Sequence, residues 1–320
     1  MPLISVVTPC YNEEANVERV RDAVKKAFAQ LPGYDYEHIF IDNASQDATV
    51  AVLKKLAADD KRVKVIVNTR NFGVVQSPLH AIFQASGAAI IPLAADLQDP
   101  PELIPQFVQK WAEGYKIVAA VKKGSQESFP MRELRNLYYK LMAALSETET
   151  IRNFSGYGLY DRQVIEIIRS TGDHNPYTRG LIVQMGFPIA KIEYIRPERE
   201  RGFSKNSLYD LYCQGMNGIT AQSKAPLRMA TFFGLIMALL SFLVGLGYLI
   251  YKLLYWNEFT VGIAPIVCGL FFFGAVQLMF LGIVGEYIGA IHARLYQRWL
   301  VIEKERINFD ETSGSDARRS

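Results

Sequence analysis

The chain has 320 residues, of which 50% are hydrophobic and 21% are charged, and its formal net charge is +3 at pH 7. This length allows one or two domains with a sizeable core, and the composition excludes a disordered, collagen-like or low-complexity chain. So small a net charge does not support nucleic-acid binding. The cysteines Cys10, Cys213 and Cys268 lie far apart without a CxxC motif, which excludes a disulfide scaffold and a thiolate zinc site and fits a reducing compartment.

The N-terminal part of the chain alternates short apolar segments, typical of buried strands, with amphipathic segments. The predicted strands are Ile4–Thr8, His38–Ile41, Val63–Val67, Ala88–Leu93 and Lys116–Val121. The spacing of apolar residues predicts a helix after Asn12, which can act as its N-cap, and further helices at about 47–57, 77–85 and 101–111. This alternation predicts an α/β domain with a Rossmann-like, mostly parallel sheet and helices on both faces.

Polar residues follow four of the predicted strands. They are Pro9, Tyr11, Asn12 and Glu13 after the first strand, Asp42 after the second, Arg70 and Asn71 after the third, and Asp96, Gln98 and Asp99 after the fourth. Each alone is better explained as a loop or cap residue, but the four loops together favour a site, because the carboxyl ends of parallel strands share one sheet edge, where ligands bind. Asp96 and Gln98 offer the hard oxygen donors that suit a divalent cation bound to phosphates. Neither a GxGxxG nor a GxxxxGK[ST] motif is present, which excludes dinucleotide and P-loop sites of those types.

Two long segments, Met229–Tyr251 and Phe259–Gly285, carry no charge and are long enough to span a ~30 Å hydrocarbon core. The alternative is a pair of buried core helices. Basic residues flank the pair, whereas the charged residues of the loop between them are only Lys252 and Glu258. Both termini are therefore expected in the cytoplasm. The N-terminal apolar stretch is too short for a signal peptide. We expect a cytosolic domain at 1–207, an interfacial amphipathic helix at 208–227, two transmembrane helices within 228–290 (about 229–252 and 260–286) and a cytoplasmic tail at 291–320.

Several motifs together resemble family-2, GT-A-fold glycosyltransferases, and more closely the polyprenyl-phosphate glycosyltransferases. The motifs after the four strands read TPCYNEE, IDNASQD, TRNFG and ADLQDPPE. Further along the chain come ERERGFSKNSL, the two apolar segments, GEYIG and VIEKERINF. The resemblance covers about residues 3–309, and the order of the motifs is more specific than any one of them.

The resemblance implies a hexosyltransferase of the inner cell membrane, with a cytoplasmic catalytic domain. Its substrates would be a nucleotide-sugar, UDP-glucose by default, and polyprenyl (undecaprenyl) phosphate in the bilayer. Its cofactor would be Mg²⁺ or Mn²⁺, and the protein would be a homo-oligomer, a tetramer in the family. The implied nucleotide-sugar site consists of Pro9, Tyr11, Asn12, Glu13, Asp42, Arg70 and Asp96. The implied metal ligands are Asp96 and Gln98, the acceptor-phosphate residues are Arg201, Ser204 and Lys205, and the catalytic residues are Asp96, Arg201 and Lys205.

Two positions depart from the family pattern. Ala94 stands where the family usually has the first acid of its DxD motif, and Asp99 or water could take its place. Tyr157 and Gly158 stand in a segment where many relatives carry an acid, and the nearest acid, Asp161, is equally well explained as structural. A lipid phosphate is already anionic, so transfer of a sugar to it needs no general base. Transfer to a sugar hydroxyl does need one.

Three other functions remain open on the sequence alone. A GDP-mannose-dependent polyprenyl-phosphate mannosyltransferase differs from the main prediction only in the donor. A processive family-2 synthase would be expected to carry a QxxRW motif and more membrane spans. A catalytically silent membrane scaffold would keep the fold and lose metal-dependent transfer.

Overall fold

The computed structural model describes residues 1–123, 151, 153–173, 176–195, 225–255, 263–295 and 301–309. These residues form two compact units. One unit contains a β-sheet with its covering helices, and the other contains two long apolar helices.

The strands of the first unit are β1 (Leu3–Cys10), β2 (Asp35–Asp42), β3 (Val63–Asn68), β4 (Ala89–Pro92), β5 (Ile117–Lys122), β6 (Phe154–Asp161), β7 (Ile189–Tyr194) and β8 (Glu303–Ile307). Its helices are α1 (Val17–Phe28), α2 (Thr49–Asp59), α3 (Gly73–Gln84), α4 (Ile104–Ala112, preceded by a 3₁₀ turn at Pro101–Leu103), α5 (Arg162–Ser170) and α6 (Thr178–Gln184). The predicted strands and helices are all present, with boundaries shifted by a few residues.

The sheet has eight strands in the order β7-β5-β6-β4-β1-β2-β3-β8. Strands β4, β1, β2 and β3 are parallel neighbours, as are β5 and β7, whereas β6 and β8 run antiparallel to the strands beside them. The prediction of a mostly parallel α/β sheet is therefore confirmed. The central parallel strands bring the ends of β1 to β4 to one edge of the sheet.

Hydrophobic periodicity explains how the helices attach. In α1, Val17, Val20, Val24 and Phe28 are buried on one face, and burying each such side chain contributes about 1.5–3 kcal/mol. The predicted N-cap was wrong, because α1 begins at Val17 and its N-cap is Asn16 rather than Asn12. Asn12 instead has a positive φ of 56° and bonds to the neighbouring loop.

Strand β8 follows the apolar helices in sequence and lies in the segment that was expected to be a tail. It nevertheless belongs to the sheet of the N-terminal domain. It pairs antiparallel with β3. Glu303 lies 2.6 Å from His80 and pairs with Arg306, and Glu305 lies 2.6 Å from Lys54. The C-terminal segment therefore forms an edge of the sheet.

The second unit contains α7 (Ala225–Leu254) and α8 (Ile263–Leu295). Both contain a segment long and apolar enough to cross a membrane, namely Pro226–Gly247 (mean hydropathy 2.3) and Phe272–Gly289 (mean hydropathy 1.5). None of the first segment is buried, and 6% of the second segment is buried, so neither segment is the core helix of a globular unit. The rings of Phe233 and Phe280 lie 6.0 Å apart and connect the two helices. Most of the expected interfacial helix, 208–224, lies outside the described residues.

Candidate functional site

The first strands end at one edge of the sheet, as predicted. Cys10 at the end of β1 is in register with Asp42 at the end of β2, and Asp42 is in register with Val67 of β3. The end of β4 lies on the other side of β1. The residues predicted from the sequence therefore meet at this edge from four successive loops.

Hydrogen bonds join the loop after β1 to the loop after β2. The backbone N–H of Asn12 donates to Ser45 Oγ (2.9 Å), and the N–H of Gln46 donates to Asn12 Oδ1 (2.8 Å). The N–H of Glu13 donates to Thr49 Oγ1 (2.8 Å). The side chain of Asn12 therefore holds the two loops together, so its contribution to a binding site is to position them.

Asp42 is the buried carboxylate at this edge of the sheet. Its side chain is fully buried, and Oδ2 accepts a hydrogen bond from the N–H of Ser45 (3.0 Å). Oδ1 has no hydrogen-bond partner among the described residues. A buried carboxylate oxygen without a partner costs free energy, and such groups in native structures usually have a functional reason. An N–H or O–H group of a ligand would satisfy Oδ1.

Cys10 lies beside Asp42 but is chemically inert. Burial raises the pKa of its thiol well above the ordinary value, and the charges of Asp42, Glu13 and Asp47 raise it further. The reactive thiolate is therefore suppressed at neutral pH.

A network of amide side chains fixes the loop after β3, and sequence analysis did not identify it. Asn43 Oδ1 accepts from the N–H of Phe72 (2.8 Å) and from Asn68 Nδ2 (3.2 Å). Asn43 Nδ2 donates to Asn71 Oδ1 (2.9 Å) and to the carbonyl of Gly73 (3.2 Å). All four hydrogen-bonding positions of this one side chain are thus used to connect the end of β2 with residues 68–73.

Arg70 lies on this fixed loop. Its guanidinium is 4.1 Å from the ring centre of Phe72, and its Nη1 donates to the carbonyl of Asn71 (3.1 Å). The side chain of Arg70 is exposed, whereas Phe72 is buried. The buried ring thus supports an exposed cation at the same edge as Asp42, which suits an anionic ligand.

The loop after β4 presents a carboxylate and an amide. Asp96 Oδ1 accepts from the N–H of Gln98 (3.1 Å), and Leu97 between them has a positive φ of 57°. The described residues contain no cluster of three or more His, Cys, Asp or Glu side chains that could hold a metal. Two hard oxygen donors nevertheless fit Mg²⁺ or Mn²⁺ of the kind that takes its other ligands from substrate phosphates and water.

Two tyrosines fix the end of this loop. Tyr194 OH donates to Asp99 Oδ1 (2.9 Å), and Tyr157 OH donates to the carbonyl of Pro100 (2.7 Å). Burial and, to a lesser extent, the charge of Asp99 raise the pKa of Tyr157, so its hydroxyl remains a donor. Asp99 therefore has a structural partner at one of its two oxygens.

The segment where relatives carry an acid is structural in this chain. Tyr157 is a core residue, and a Cβ on Gly158 would lie 2.1 Å from the carbonyl oxygen of Val118, which leaves no room for any side chain. Asp161 pairs in register with Ala89, the first residue of β4, and so lies at the opposite edge of the sheet from the candidate site.

The bonds of Asp161 account for its presence there. It caps α5 through the N–H of Gln163 (3.0 Å), and it accepts from Trp111 Nε1 (2.8 Å) and Lys116 Nζ (3.2 Å). Burial raises the pKa of Asp161, but these hydrogen bonds outweigh burial and leave it below its ordinary value. Of the two explanations that the sequence allowed, the structural one is correct.

The residues expected at the acceptor phosphate, Arg201, Ser204 and Lys205, lie outside the described residues. The structure brings together the remaining predicted site residues, namely Pro9, Tyr11, Asn12, Glu13, Asp42, Arg70, Asp96 and Gln98. The fold and this edge define the class of protein: an α/β domain whose parallel strands end at an edge that suits ligand binding, followed by two membrane-length helices.

Comparison with known proteins identifies the family. Residues 5–168 match the model of glycosyl transferase family 2, and the chain belongs to this family. It is 34% identical to the SfII prophage-derived bactoprenol glucosyl transferase of Shigella flexneri over 92% of this chain and 95% of that protein. It is 35% identical to the uncharacterized glycosyltransferase YkcC of Bacillus subtilis over 93% of this chain and 92% of that protein.

Among solved structures, one match is the mannosyltransferase PcManGT from Pyrobaculum calidifontis in complex with GDP-Man and Mn²⁺. It is 15% identical with a TM-score of 0.47, and the match covers 93% of this chain and 88% of that chain.

Proposed function

We propose that the protein is an inverting hexosyltransferase that moves glucose from UDP-glucose to polyprenyl phosphate at the cytoplasmic face of the membrane. The observation that carries the proposal is one sheet edge with two features: Oδ1 of Asp42, which has no hydrogen-bond partner in the described part of the chain, and the loop with Asp96 and Gln98. The similarity to bactoprenol glucosyl transferases, which spans both apolar helices, supports the lipid acceptor and the sugar.

The described geometry supports a donor half of the site at this edge. In this proposal Oδ1 of Asp42 accepts a hydrogen bond from the base or ribose, Pro9 contributes from the end of β1, and Tyr11 and Glu13 contribute from the loop after it. Arg70, supported by the ring of Phe72, faces the diphosphate. Asp96 and Gln98 would hold a Mg²⁺ or Mn²⁺ ion, and such an ion would supply positive charge for the leaving diphosphate.

The acceptor half needs cations rather than a base. An oxygen of the lipid phosphate attacks the anomeric carbon on the face opposite the diphosphate, so a single displacement inverts the configuration. Arg201, Ser204 and Lys205 neutralise and align the attacking phosphate, which otherwise repels the donor. The occupation of positions 157, 158 and 161 by structural residues is in accord with a reaction that has no general base there.

The connectivity of the sheet supports a membrane hairpin. Strands before α7 and after α8 belong to the same sheet, so a membrane crossed by these helices must be crossed an even number of times. Two crossings, at about 229–252 and 260–286, satisfy this condition. The bias of basic residues toward the flanks supports a position of the sheet on the cytoplasmic side of the inner membrane, where nucleotide-sugars occur.

The test is a panel of UDP- and GDP-sugars incubated with the membrane-bound protein, undecaprenyl phosphate and Mn²⁺ or Mg²⁺, scored for lipid-linked sugar. We expect product from UDP-glucose. Product from GDP-mannose alone would replace the donor assignment with the mannosyltransferase alternative. Absence of product with every donor, together with normal binding of UDP, would favour the silent scaffold.

Two further properties belong to the same proposal. Asp96→Asn is expected to lower turnover at least ~100-fold, because it removes the anionic ligand of the metal from a site that already lacks an acid at Ala94. Wild-type turnover of this variant would contradict the metal assignment.

A homo-oligomer, a tetramer in the resembled family, would be recognised by the mass of the detergent-solubilised protein.

A further inference from the structure

Tyr194 connects two parts of the proposed site that lie far apart in sequence. It is the last residue of β7, and its hydroxyl donates to Asp99 Oδ1 at 2.9 Å. Asp99 follows Asp96 and Gln98 on the loop after β4. The segment that contains Arg201 and Lys205 continues from Tyr194 along the chain.

The position of Tyr194 is rigidly determined. Its side chain is buried, and its ring packs edge-on against Tyr157 at 6.2 Å. The carbonyl of Tyr194 accepts from the N–H of Lys123 (2.7 Å), and the residue is in register with Lys122 of β5. The hydroxyl therefore reaches Asp99 from a fixed point of the sheet.

The loop that Tyr194 contacts carries the two proposed metal ligands. Leu97 adopts a left-handed conformation, which is unfavourable for a leucine, between Asp96 and Gln98. Beyond Gln98, the hydroxyl of Tyr194 on Asp99 and that of Tyr157 on the carbonyl of Pro100 hold the chain to the sheet. Hydrogen-bond partners of metal-ligating side chains orient those side chains, and their loss typically weakens metal binding 10–100-fold. Tyr194 acts one step further out, because it holds the residue directly after the proposed ligand Gln98.

We propose that Tyr194 is a positioning residue for the metal loop, which acts through Asp99 and sets the shape in which Asp96 and Gln98 hold Mn²⁺ or Mg²⁺. The inference rests on the proposed function, because it takes Asp96 and Gln98 as the ligands. It assigns Asp99 to the hydrogen bond with Tyr194 rather than to the position left by Ala94.

The experiment measures Mn²⁺ binding to the full-length protein in detergent with UDP present, from the electron paramagnetic resonance signal of free Mn²⁺. Tyr194→Phe keeps the buried ring and removes only the hydroxyl. We expect the apparent Kd for Mn²⁺ to rise at least ~10-fold, while UDP binding without metal is unchanged. The matched control is Tyr160→Phe, which removes a buried hydroxyl that donates to the carbonyl of Gly156, elsewhere in the sheet.

The outcomes separate this inference from the proposed function. If Asp96→Asn binds Mn²⁺ as the wild type does, the metal assignment of the proposed function fails. If Asp96→Asn loses Mn²⁺ and Tyr194→Phe binds it normally, only the role of Tyr194 is overturned. An equal loss in Tyr160→Phe would also overturn it, because the effect would then be a general loss of core order.

A second pair of variants does not depend on changing Tyr194. Asp99→Asn keeps an acceptor oxygen for the Tyr194 hydroxyl, whereas Asp99→Ala removes it. We expect the asparagine variant to retain Mn²⁺ affinity and the alanine variant to lose it at least ~10-fold. Equal loss in both variants would mean that Asp99 ligates the metal through its charge, and would overturn the positioning role.

Discussion

At the scale of single residues, neighbouring positions in one motif have different roles. Asp42 and Asn43 are adjacent at the end of β2. Asp42 keeps one buried oxygen without a partner among the described residues, which suits ligand binding. Asn43 uses all its hydrogen-bonding capacity on the loop after β3, which suits positioning. Sequence analysis could recognise the motif, but the division of labour within it depends on which atoms find partners in the fold.

Asp42→Asn is expected to weaken UDP binding about 10–100-fold, because a hydrogen bond to a charged group contributes about 1.5–3 kcal/mol. The variant can still accept from the N–H of Ser45, so the loop after β2 is expected to remain folded. Isothermal titration with UDP measures the change. Asp59→Asn, at an exposed position at the end of α2, serves as the control, and equal affinities of the two variants would contradict the ligand role of Asp42.

Arg201→Ala tests the acceptor half of the proposal. The protein is expected to stay in the membrane and to bind UDP normally, while transfer to polyprenyl phosphate collapses, because the attacking phosphate loses the cation that holds it. Arg201→Lys is expected to restore transfer only in part, since an ammonium cannot make two parallel hydrogen bonds. Normal transfer by Arg201→Ala at saturating acceptor would reduce the residue to a lipid-recruiting charge.

At the scale of secondary-structure elements, β8 is attached to the sheet by charged groups. Burial raises the pKa of Glu303, but the hydrogen bonds from His80 and Arg306 outweigh burial and lower the pKa to about 2. Asn308, just beyond the strand, donates to the carbonyls of Ala57 (2.6 Å) and Val63 (2.8 Å). The attachment of this strand therefore depends on an ionised carboxylate.

The pKa of Glu303 sets the direction of a pH effect. Because its folded-state pKa lies below its ordinary value of 4.5, its contribution to stability is present above pH 4.5 and is lost as the pH falls toward 2. Glu303→Gln removes that contribution at neutral pH, which is about 1–3 kcal/mol for a partly exposed carboxylate that accepts hydrogen bonds from charged groups. Hydrogen exchange of the peptide that contains β8 is expected to speed up in this variant.

Glu305→Gln is the matched control on the same strand. Its partner Lys54 is half-exposed, and such surface ion pairs contribute about 0–1 kcal/mol, so β8 should exchange nearly as in the wild type. Equal protection of β8 in the wild type and in Glu303→Gln would show that Glu303 does not hold the strand.

At the scale of the whole molecule, the order of the elements along the chain has a topological consequence. The two membrane-length helices lie between β7 and β8, which are both strands of one sheet. Strand β8 can pair with β3 only if the segment after α8 lies on the same side of the membrane as β3. The two helices are therefore inserted between two strands of the sheet domain and do not simply follow its last strand.

A reporter placed near Trp256 is expected to be accessible from the outer face of the membrane, and one at Ser320 from the cytoplasm. The basis is the distribution of basic residues around the two spans and the return of β8 to the sheet. Labelling of intact cells and of inverted vesicles distinguishes the two sides. Labelling of both positions from the outside would be incompatible with a reaction that uses cytoplasmic nucleotide-sugars.

The sequence by itself determined the features that depend on local order. Apolar periodicity places α1 and the strands β1 to β5, because side chains that are neighbours in sequence decide which face is buried. The uncharged segments within α7 and α8 are recognisable for the same reason. The motifs after β1, β2, β3 and β4 share an edge in any parallel sheet, so their convergence also follows from the sequence.

Only the tertiary structure decided the features that join distant residues. Strand β8 reads Glu-Lys-Glu-Arg-Ile, which has no apolar alternation, and it is held by His80 and Lys54, more than two hundred positions away. The amide network of Asn43 and the bond from Tyr194 to Asp99 are likewise made across loops. The structural role of Asp161 depends on the strand order, which puts the end of β6 beside the start of β4. Hydrogen bonds of this kind are set by three-dimensional proximity, which no local pattern of residues encodes.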